Sequence, residues 1–257
     1  MSKSVEITQK NKKISSSTTK PKLLYKYDEN SKIEICLDEV GRGPLFGRLY
    51  TAAVVLPINH SIFDETDIKD SKKFSSKEKM KRVAEYIINN CLAYHIDYID
   101  ANVIDEINIL QSVYRSMHEC IKNILEKISN IQPEVNVNNN ENVLILVDGN
   151  SFRPYCVYKE QTGEIQQVSH VTIEQGDAKY IGIAAASIIA KVAHDDYIHK
   201  LCIEYPILVE RYDLANNVGY GTKKHLDGIR EHGITEFHRK TYGICKTSII
   251  TPLLTSE

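Results

Sequence analysis

Apolar positions recur with two different periods along this chain, and the two periods divide it into strands and helices. Residues 33–39, IEICLDE, predict a strand, and 49–57, LYTAAVVLP, predict a second one after a glycine-rich turn. Residues 75–90 predict a helix, because Ser75 with Glu78 fits a capping box and Val83, Tyr86 and Ile87 make a helical stripe. Strand-like alternation returns at 91–99, CLAYHIDYI. From 104 to 128, Ile107, Leu110, Tyr114, Met117, Ile121 and Leu125 recur at three- and four-residue steps. That spacing predicts one long amphipathic helix with its Met and Tyr side chains toward the core.

An asparagine-rich polar loop at 133–142 precedes VLILVDGN, a buried strand closed by Asp148 and Gly149. Thr162-Gly163 marks a hairpin turn, HVTIEQGD follows, and an alanine-rich helix is expected from about Ala178 to His199. Its apolar centre, YIGIAAASIIAKVA, is too short to span a bilayer. Strands alternating with helices predict a layered α/β domain with helices packed on a sheet. The expected division is a disordered basic tail at 1–28, rich in Lys, Ser and Thr, a main domain at 29–205 and a helical appendage at 206–257. The tail could attract a polyanion weakly or be a plain solvated leader.

A length of 257 residues with 42% hydrophobic and 26% charged content suits one large domain with an appendage. The net charge of −2 removes any global attraction to nucleic acid, so such binding has to come from local patches. Six cysteines lie scattered without a CxxC pair, and the first residues hold no apolar leader. Both features point to a reduced intracellular protein, cytoplasmic in the first instance, with a nuclear or viral setting left open.

Acids stand where buried runs stop, at Asp38-Glu39, Asp148 and Asp177. Brought together, they would repel one another unless a cation neutralised them. Oxygen-only ligands select hard ions, Mg²⁺ or Mn²⁺, and two such ions about 4 Å apart suit phosphodiester hydrolysis. Plainer roles compete: Asp148-Gly149 could simply turn the chain, and Asp177 could cap the alanine-rich helix. Neither role explains two acids closing an Ile/Leu strand, although Asp38 and Glu39 should point to opposite faces of it. Beside them, Gly41, Arg42 and Gly43 suggest that something approaches the backbone closely.

With these residues in place, the chain resembles the type 2 ribonucleases H (ribonuclease HII), metal-dependent enzymes that cut the RNA part of RNA–DNA duplexes. The resemblance runs from about residue 33 to 243 through DEVGRGPLFG, DSKKFS, DEINILQ, VDGN, GDAKYIGIAAASIIAKVAHDD, GYGTKKHLDGIREHG and HRKTYG, in the family's order. It implies a ribonuclease H-like layered domain, a mixed central sheet with flanking helices, plus a small C-terminal helical appendage. It also implies two Mg²⁺ or Mn²⁺ ions on Asp38, Glu39, Asp148 and Asp177, and an RNA–DNA hybrid or ribonucleotide-containing duplex as partner. Backbone groups of Gly41, Arg42 and Gly43 would grip a 2′-hydroxyl, the group that tells RNA from DNA. Tyr220 would stack on the next deoxyribose, while Lys72, and with less support Arg239 and Lys240, would contact phosphate. Residues 219–246 hold six Lys or Arg against three acids, a local surplus able to hold a nucleic-acid backbone. Related type 3 enzymes lack the Gly-Arg-Gly segment, so its presence favours type 2.

The loop at 151–168 is longer than in short bacterial members, which leaves Glu174 and Asp195 as alternatives to Asp177, although GDAKY favours Asp177. No clamp-binding motif is evident at the end of the chain, and a monomer without a membrane is expected. Two rivals remain open: a DNA nuclease on a similar fold, and a hybrid-binding module without catalysis.

Overall fold

The computed structural model describes residues 22–31, 33–133, 142–159 and 162–253. The expected tail ran to residue 28, and most of it, like most of the asparagine-rich loop, lies outside these residues. Its last part, from Lys22, is instead held. The Leu24 amide donates to the Lys179 carbonyl at 2.8 Å, the Ile181 amide donates back to Leu24 at 2.9 Å, and Tyr25 stacks on His60. Leu23 and Tyr25 pack on the apolar core, which is the reason this end of the tail is ordered.

A five-stranded sheet forms the centre, in the order β3 (Ala93–Ile99), β2 (Leu49–Val55), β1 (Ile33–Val40), β4 (Val143–Asp148) and β7 (His170–Ile173). The β1–β2 and β2–β3 pairs are antiparallel, and β1–β4 and β4–β7 are parallel, so the sheet is mixed. The Thr162-Gly163 turn closes a separate hairpin of β5 (Cys156–Lys159) and β6 (Glu164–Gln167).

Alternation along β1 sorts its side chains by face. Ile33, Ile35 and Leu37 share a cluster with Met117, Ile121, Ile124 and Ile128 of α3 (Ile109–Ile131). Cys36 packs with Leu146 and Ile183 on the opposite face, under α4 (Ile181–Glu204). Beside it, Ala52 and Val54 meet α1 (Lys77–Asn90) and the alanines of α4. Small residues let α4 lie very close to the sheet. A Cβ on Gly182 would stand 2.3 Å from the buried Cys36 Sγ. Gly182→Ala is expected to cost about 1–3 kcal/mol, the usual range for overpacking, seen as a lower denaturation midpoint. An unchanged midpoint would show that α4 is free to shift.

Three local expectations are corrected. Ser76, not Ser75, caps α1, accepting from the Lys79 amide at 3.1 Å. The long helix from 104 breaks at Asn108, whose φ of +66° separates α2 (Ala101–Ile107) from α3 while its side chain accepts from the Leu110 and Gln111 amides. Asn tolerates that backbone and caps well, so it ends one helix and starts the next. The expected stripe holds in its second half, where Met117, Ile121 and Leu125 are buried, and fails in its first, where Leu110 is exposed and Tyr114 half-buried; Val113, Cys120, Ile124 and Ile128 complete the core face.

Residues after 205 form α5 (Ile207–Tyr212), α6 (Leu214–Asn217), α7 (Lys223–His232) and a short turn at Gly243–Thr247. Their cluster includes Phe46 and the Ile198, Leu201 and Cys202 side chains of α4. The C-terminal segment therefore sits directly behind the glycine-rich bend that follows β1. Among the described residues no helix is long and apolar enough to cross a membrane.

Candidate active site

Register brings the first two acids together. Leu37 pairs with Val147 across parallel β1 and β4, so Asp38 and Asp148 occupy the next rung of two strands about 4.8 Å apart. Both continue the face of Cys36 and Leu146, the one that α4 covers. Asp38 is buried and its carboxyl is pushed well above the usual range, first by burial, then by the negative charges of Glu39 and Asp148. Hydrogen bonds from Ser187 of α4 and from the Glu39 amide, the latter 2.7 Å long, oppose the rise.

Glu39 belongs to the other face, as the alternation requires, but β1 ends one residue later and the side chain lies at the rim of the same cleft. Burial raises its carboxyl, while the Arg42 guanidinium at 3.0 Å opposes that. Asp148 is also raised by burial, against a 2.6 Å hydrogen bond donated by the Gly176 amide. Asp148 therefore does more than turn the chain: it fixes the loop that carries Asp177. A Cβ on Gly176 would stand 3.2 Å from Asp148 Oδ1 and 2.6 Å from Ile183, so the close approach depends on this glycine.

Asp177 is buried in the short turn Gly176–Ala178, ahead of α4, whose N-cap residue is Tyr180. Its capping role is thereby removed. Lys72 Nζ lies 3.6 Å from its Oδ2. The alternatives to Asp177 are otherwise placed. Asp195 accepts from Lys191 at 2.7 Å and from buried His194 at 2.9 Å, which hold its carboxyl low. Glu174 is exposed and off the cleft.

The cleft has a volume of about 400 Å³, and Asp38, Glu39, Asp148, Lys72, Arg42 and Tyr220 stand on its wall; Asp177 meets it only through Lys72. Whether the acids suit a metal is a question of donor chemistry and arrangement. The donors are carboxylate oxygens, and burial with mutual repulsion raises Asp38 and Asp148, a cost that a hard cation would reverse. Among the described residues, however, no three acid, His or Cys side chains are grouped to hold one ion as they stand. Glu39 turns to Arg42, Asp148 to Gly176 and Asp177 to Lys72, so the set fits by chemistry and needs rotamer changes to close.

At the bend, Gly41 has φ of +97°, and a Cβ there would meet the Arg48 carbonyl at 2.9 Å and the His194 ring at 3.0 Å. Only glycine suits that backbone and that space. Tyr220, 42% exposed, lies over Gly43, with Cε1 3.6 Å from where a Cβ would be. Lys72 is exposed, on a turn that the Asp70 carboxylate caps at 3.0 Å.

Arg239 is a correction. It is fully buried and so is not available to a phosphate; its guanidinium donates to the Gly41, Arg42 and Gly47 carbonyls at 2.7, 3.1 and 3.0 Å. It fastens the bend from behind. Lys240 is exposed, and its amide and that of Thr241 donate to Asp105 at 2.8 and 2.9 Å, which ties DEINILQ to HRKTYG. Sequence reasoning missed Ser71, Ser187 and Lys191 on the cleft wall. Ser187 and Lys191 sit four residues apart on α4, a spacing that could have found them.

The family described as Ribonuclease HII matches residues 35–245. A ribonuclease HII of Parabacteroides distasonis is 38% identical over 220 residues, covering 86% of this chain and 94% of that protein. One of Staphylococcus saprophyticus is 36% identical, covering 86% and 73%. Among solved structures, the ribonuclease HII of a PCNA complex from Archaeoglobus fulgidus aligns with a TM-score of 0.57 at 23% identity, covering 82% of this chain and 96% of that one. Bst-RNase HIII in complex with Mn²⁺ also gives 0.57, at 16% identity, covering 79% and 71%. A mixed sheet with flanking helices, on the fold shared by these proteins, makes this a ribonuclease H-like α/β domain. More narrowly, the chain belongs to the ribonuclease HII family, hydrolases that cut the RNA strand of RNA–DNA hybrids.

Proposed function

We propose that this chain cuts the phosphodiester on the 5′ side of a ribonucleotide in a duplex, including a single ribonucleotide embedded in DNA, and leaves a 3′-hydroxyl and a 5′-phosphate. What carries the reading is the juxtaposition in one cleft of the Asp38–Asp148 rung with the Gly41–Gly43 bend under Tyr220. Asp38, Glu39, Asp148 and Asp177 would hold two Mg²⁺ or Mn²⁺ ions, which when bound supply an activated water and neutralise the departing oxygen. Water adds to phosphorus, the bond to the 3′ oxygen breaks, and that oxygen takes up a proton.

The chain's own residues place the substrate. Backbone groups of the bend that Arg239 leaves unengaged meet the 2′-hydroxyl, and the Tyr220 ring stacks on the deoxyribose that follows. Exposed Lys72 offers its ammonium to a phosphate near the acids, and Lys240 with the basic surplus of 219–246 holds the backbone further away. The cleft is built within one chain, which supports action as a monomer, and six free cysteines fit a reducing cytoplasm.

One duplex with a single ribonucleotide, incubated with Mg²⁺ or Mn²⁺, tests the reading. A single cut at the ribonucleotide's 5′ side is expected, and cleavage of the all-DNA duplex at a similar rate would defeat it in favour of a DNA nuclease. Tyr220→Ala is expected to lower the ratio of cleavage at the single ribonucleotide to that of a long hybrid by roughly tenfold, the scale of one lost stacking contact. An unchanged ratio would remove Tyr220 from this role.

A further inference from the structure

His225 and His238 are both fully buried, thirteen residues apart, in a part of the molecule that takes no direct part in the chemistry above. Tyr212 and Phe46 pack edge-on against the His238 ring. His225 Nδ1 is 2.9 Å from the Tyr220 carbonyl, His225 Nε2 is 3.2 Å from His238 Nε2, and the Thr235 amide donates to His238 Nδ1 at 3.0 Å.

Backbone groups at the two ends of this chain assign its protons, and the Thr235 hydroxyl, also 3.0 Å from His238 Nδ1, can join the amide as a donor. A backbone amide only donates, so His238 Nδ1 is an acceptor; a carbonyl only accepts, so His225 Nδ1 carries a hydrogen. Burial holds both imidazoles neutral, and His238 is pushed down to about 3. A neutral ring has one N–H, so His238 must bear its proton on Nε2 and donate it to the bare Nε2 of His225.

We propose that His238 and His225 form a tautomer-locked relay that sets the backbone of Tyr220, which makes both of them positioning residues for the ring at the cleft mouth. The inference rests on the role given to Tyr220 above. Backbone bonds hold the loop as well: the Tyr220 amide donates to the Asn217 carbonyl at 3.0 Å, and the Thr222 amide shares the Tyr220 carbonyl with His225, at 2.8 Å. The Leu45 amide holds the Gly219 carbonyl at 2.8 Å, and Asn217 Oδ1 accepts from the Gly219 amide at 2.9 Å. Gly219 itself has φ of +91°, with no space for a Cβ beside the Phe46 carbonyl at 2.7 Å. The relay therefore joins Tyr220 to Thr235, one turn before the Arg239 that fastens the bend. The two parts that would sense the ribonucleotide junction hang on one segment, residues 235–239, of which Thr235, His238 and Arg239 are buried.

Long-range ¹H–¹⁵N NMR of the wild-type protein reads the tautomers directly. The protonated nitrogens should be Nδ1 of His225 and Nε2 of His238, and any other pair overturns the relay. The second measurement is the cleavage ratio of single ribonucleotide to long hybrid. His225→Leu should lower it about fivefold, the worth of one hydrogen bond. His225→Asn, whose amide nitrogen can replace Nδ1, should recover most of the ratio even if both variants lose similar stability. Equal ratios for His225→Leu and wild type, or for the Leu and Asn variants, would overturn the positioning role. Tyr220→Ala, run alongside, separates the two readings. No change there defeats the junction role of Tyr220, whereas a change there with none in His225→Leu defeats the relay alone.

Discussion

Asp148→Asn is expected to keep the fold and to lose hydrolysis of a ribonucleotide-containing duplex by at least about 10³-fold, the upper range for removing one group that stabilises developing charge. The substitution is nearly isosteric. The amide oxygen can still accept from the Gly176 amide, now 2.6 Å away, so the Asp177 turn should stay in place. What disappears is a negative charge on the rung beside Asp38, and with it one hard-oxygen anionic ligand. Stability should move the other way from activity. The carboxyl of Asp148 lies higher in the folded than in the unfolded chain, so its ionised form at neutral pH opposes folding. Burying a neutral amide removes that opposition and eases Asp38, so Tm measured with chelator should be unchanged or raised. Binding of the uncut duplex should change little, because the bend, Tyr220 and the lysines are untouched. Normal turnover with Mg²⁺ would defeat the metal-assisted reading of this cleft; a large fall in Tm would mean that Asp148 is first of all a structural residue.

How far this site could be read from the chain depends on which force decides each position. Asp38 and Glu39 stood out because two acids ending an apolar strand have no plain structural explanation, whereas Asp148 also admitted an ordinary Asp-Gly turn. Their convergence follows from strand order, since β4 pairs with β1 across a crossover of about a hundred residues that only topology reveals. The helix break at Asn108 was illegible by apolar spacing, because a single left-handed residue disturbs no period. The cap at Ser76 was missed for a similar reason, since a shift of one residue from Ser75 leaves the apolar spacing unchanged. Arg239 misled because composition treats every arginine of a basic segment as solvent-facing. Its role appears only when three carbonyls, all almost two hundred residues earlier in the chain, are seen around it. The ligand rotamers were not legible either. Glu39 and Asp177 take lysine or arginine partners in the protein alone, a choice set by local charge balance rather than by pattern.

Arg239→Met separates the positioning role from a phosphate contact. Methionine fills much of the volume of the arginine stem, so the cavity term is small and the loss is mainly that of three hydrogen bonds to the Gly41, Arg42 and Gly47 carbonyls. Burial disfavours the guanidinium charge, which returns part of that loss. A net destabilisation of about 2–5 kcal/mol is expected, several times that of any exposed lysine variant in the same segment. Lysine should not rescue the site, because its single ammonium cannot match three acceptors that a planar fork meets at once. The decisive readout is salt. A side chain that contacts phosphate contributes about one unit to the slope of log affinity against log salt, and a buried positioning residue contributes none. Arg239→Met should therefore weaken discrimination between RNA and DNA at the junction and lower Tm while leaving the salt slope as it was. Lys240→Ala should reduce the slope by up to about one and leave Tm nearly unchanged. A reduced slope in Arg239→Met with wild-type stability would put the guanidinium back at the nucleic-acid surface and would mean that something other than Arg239 holds the bend.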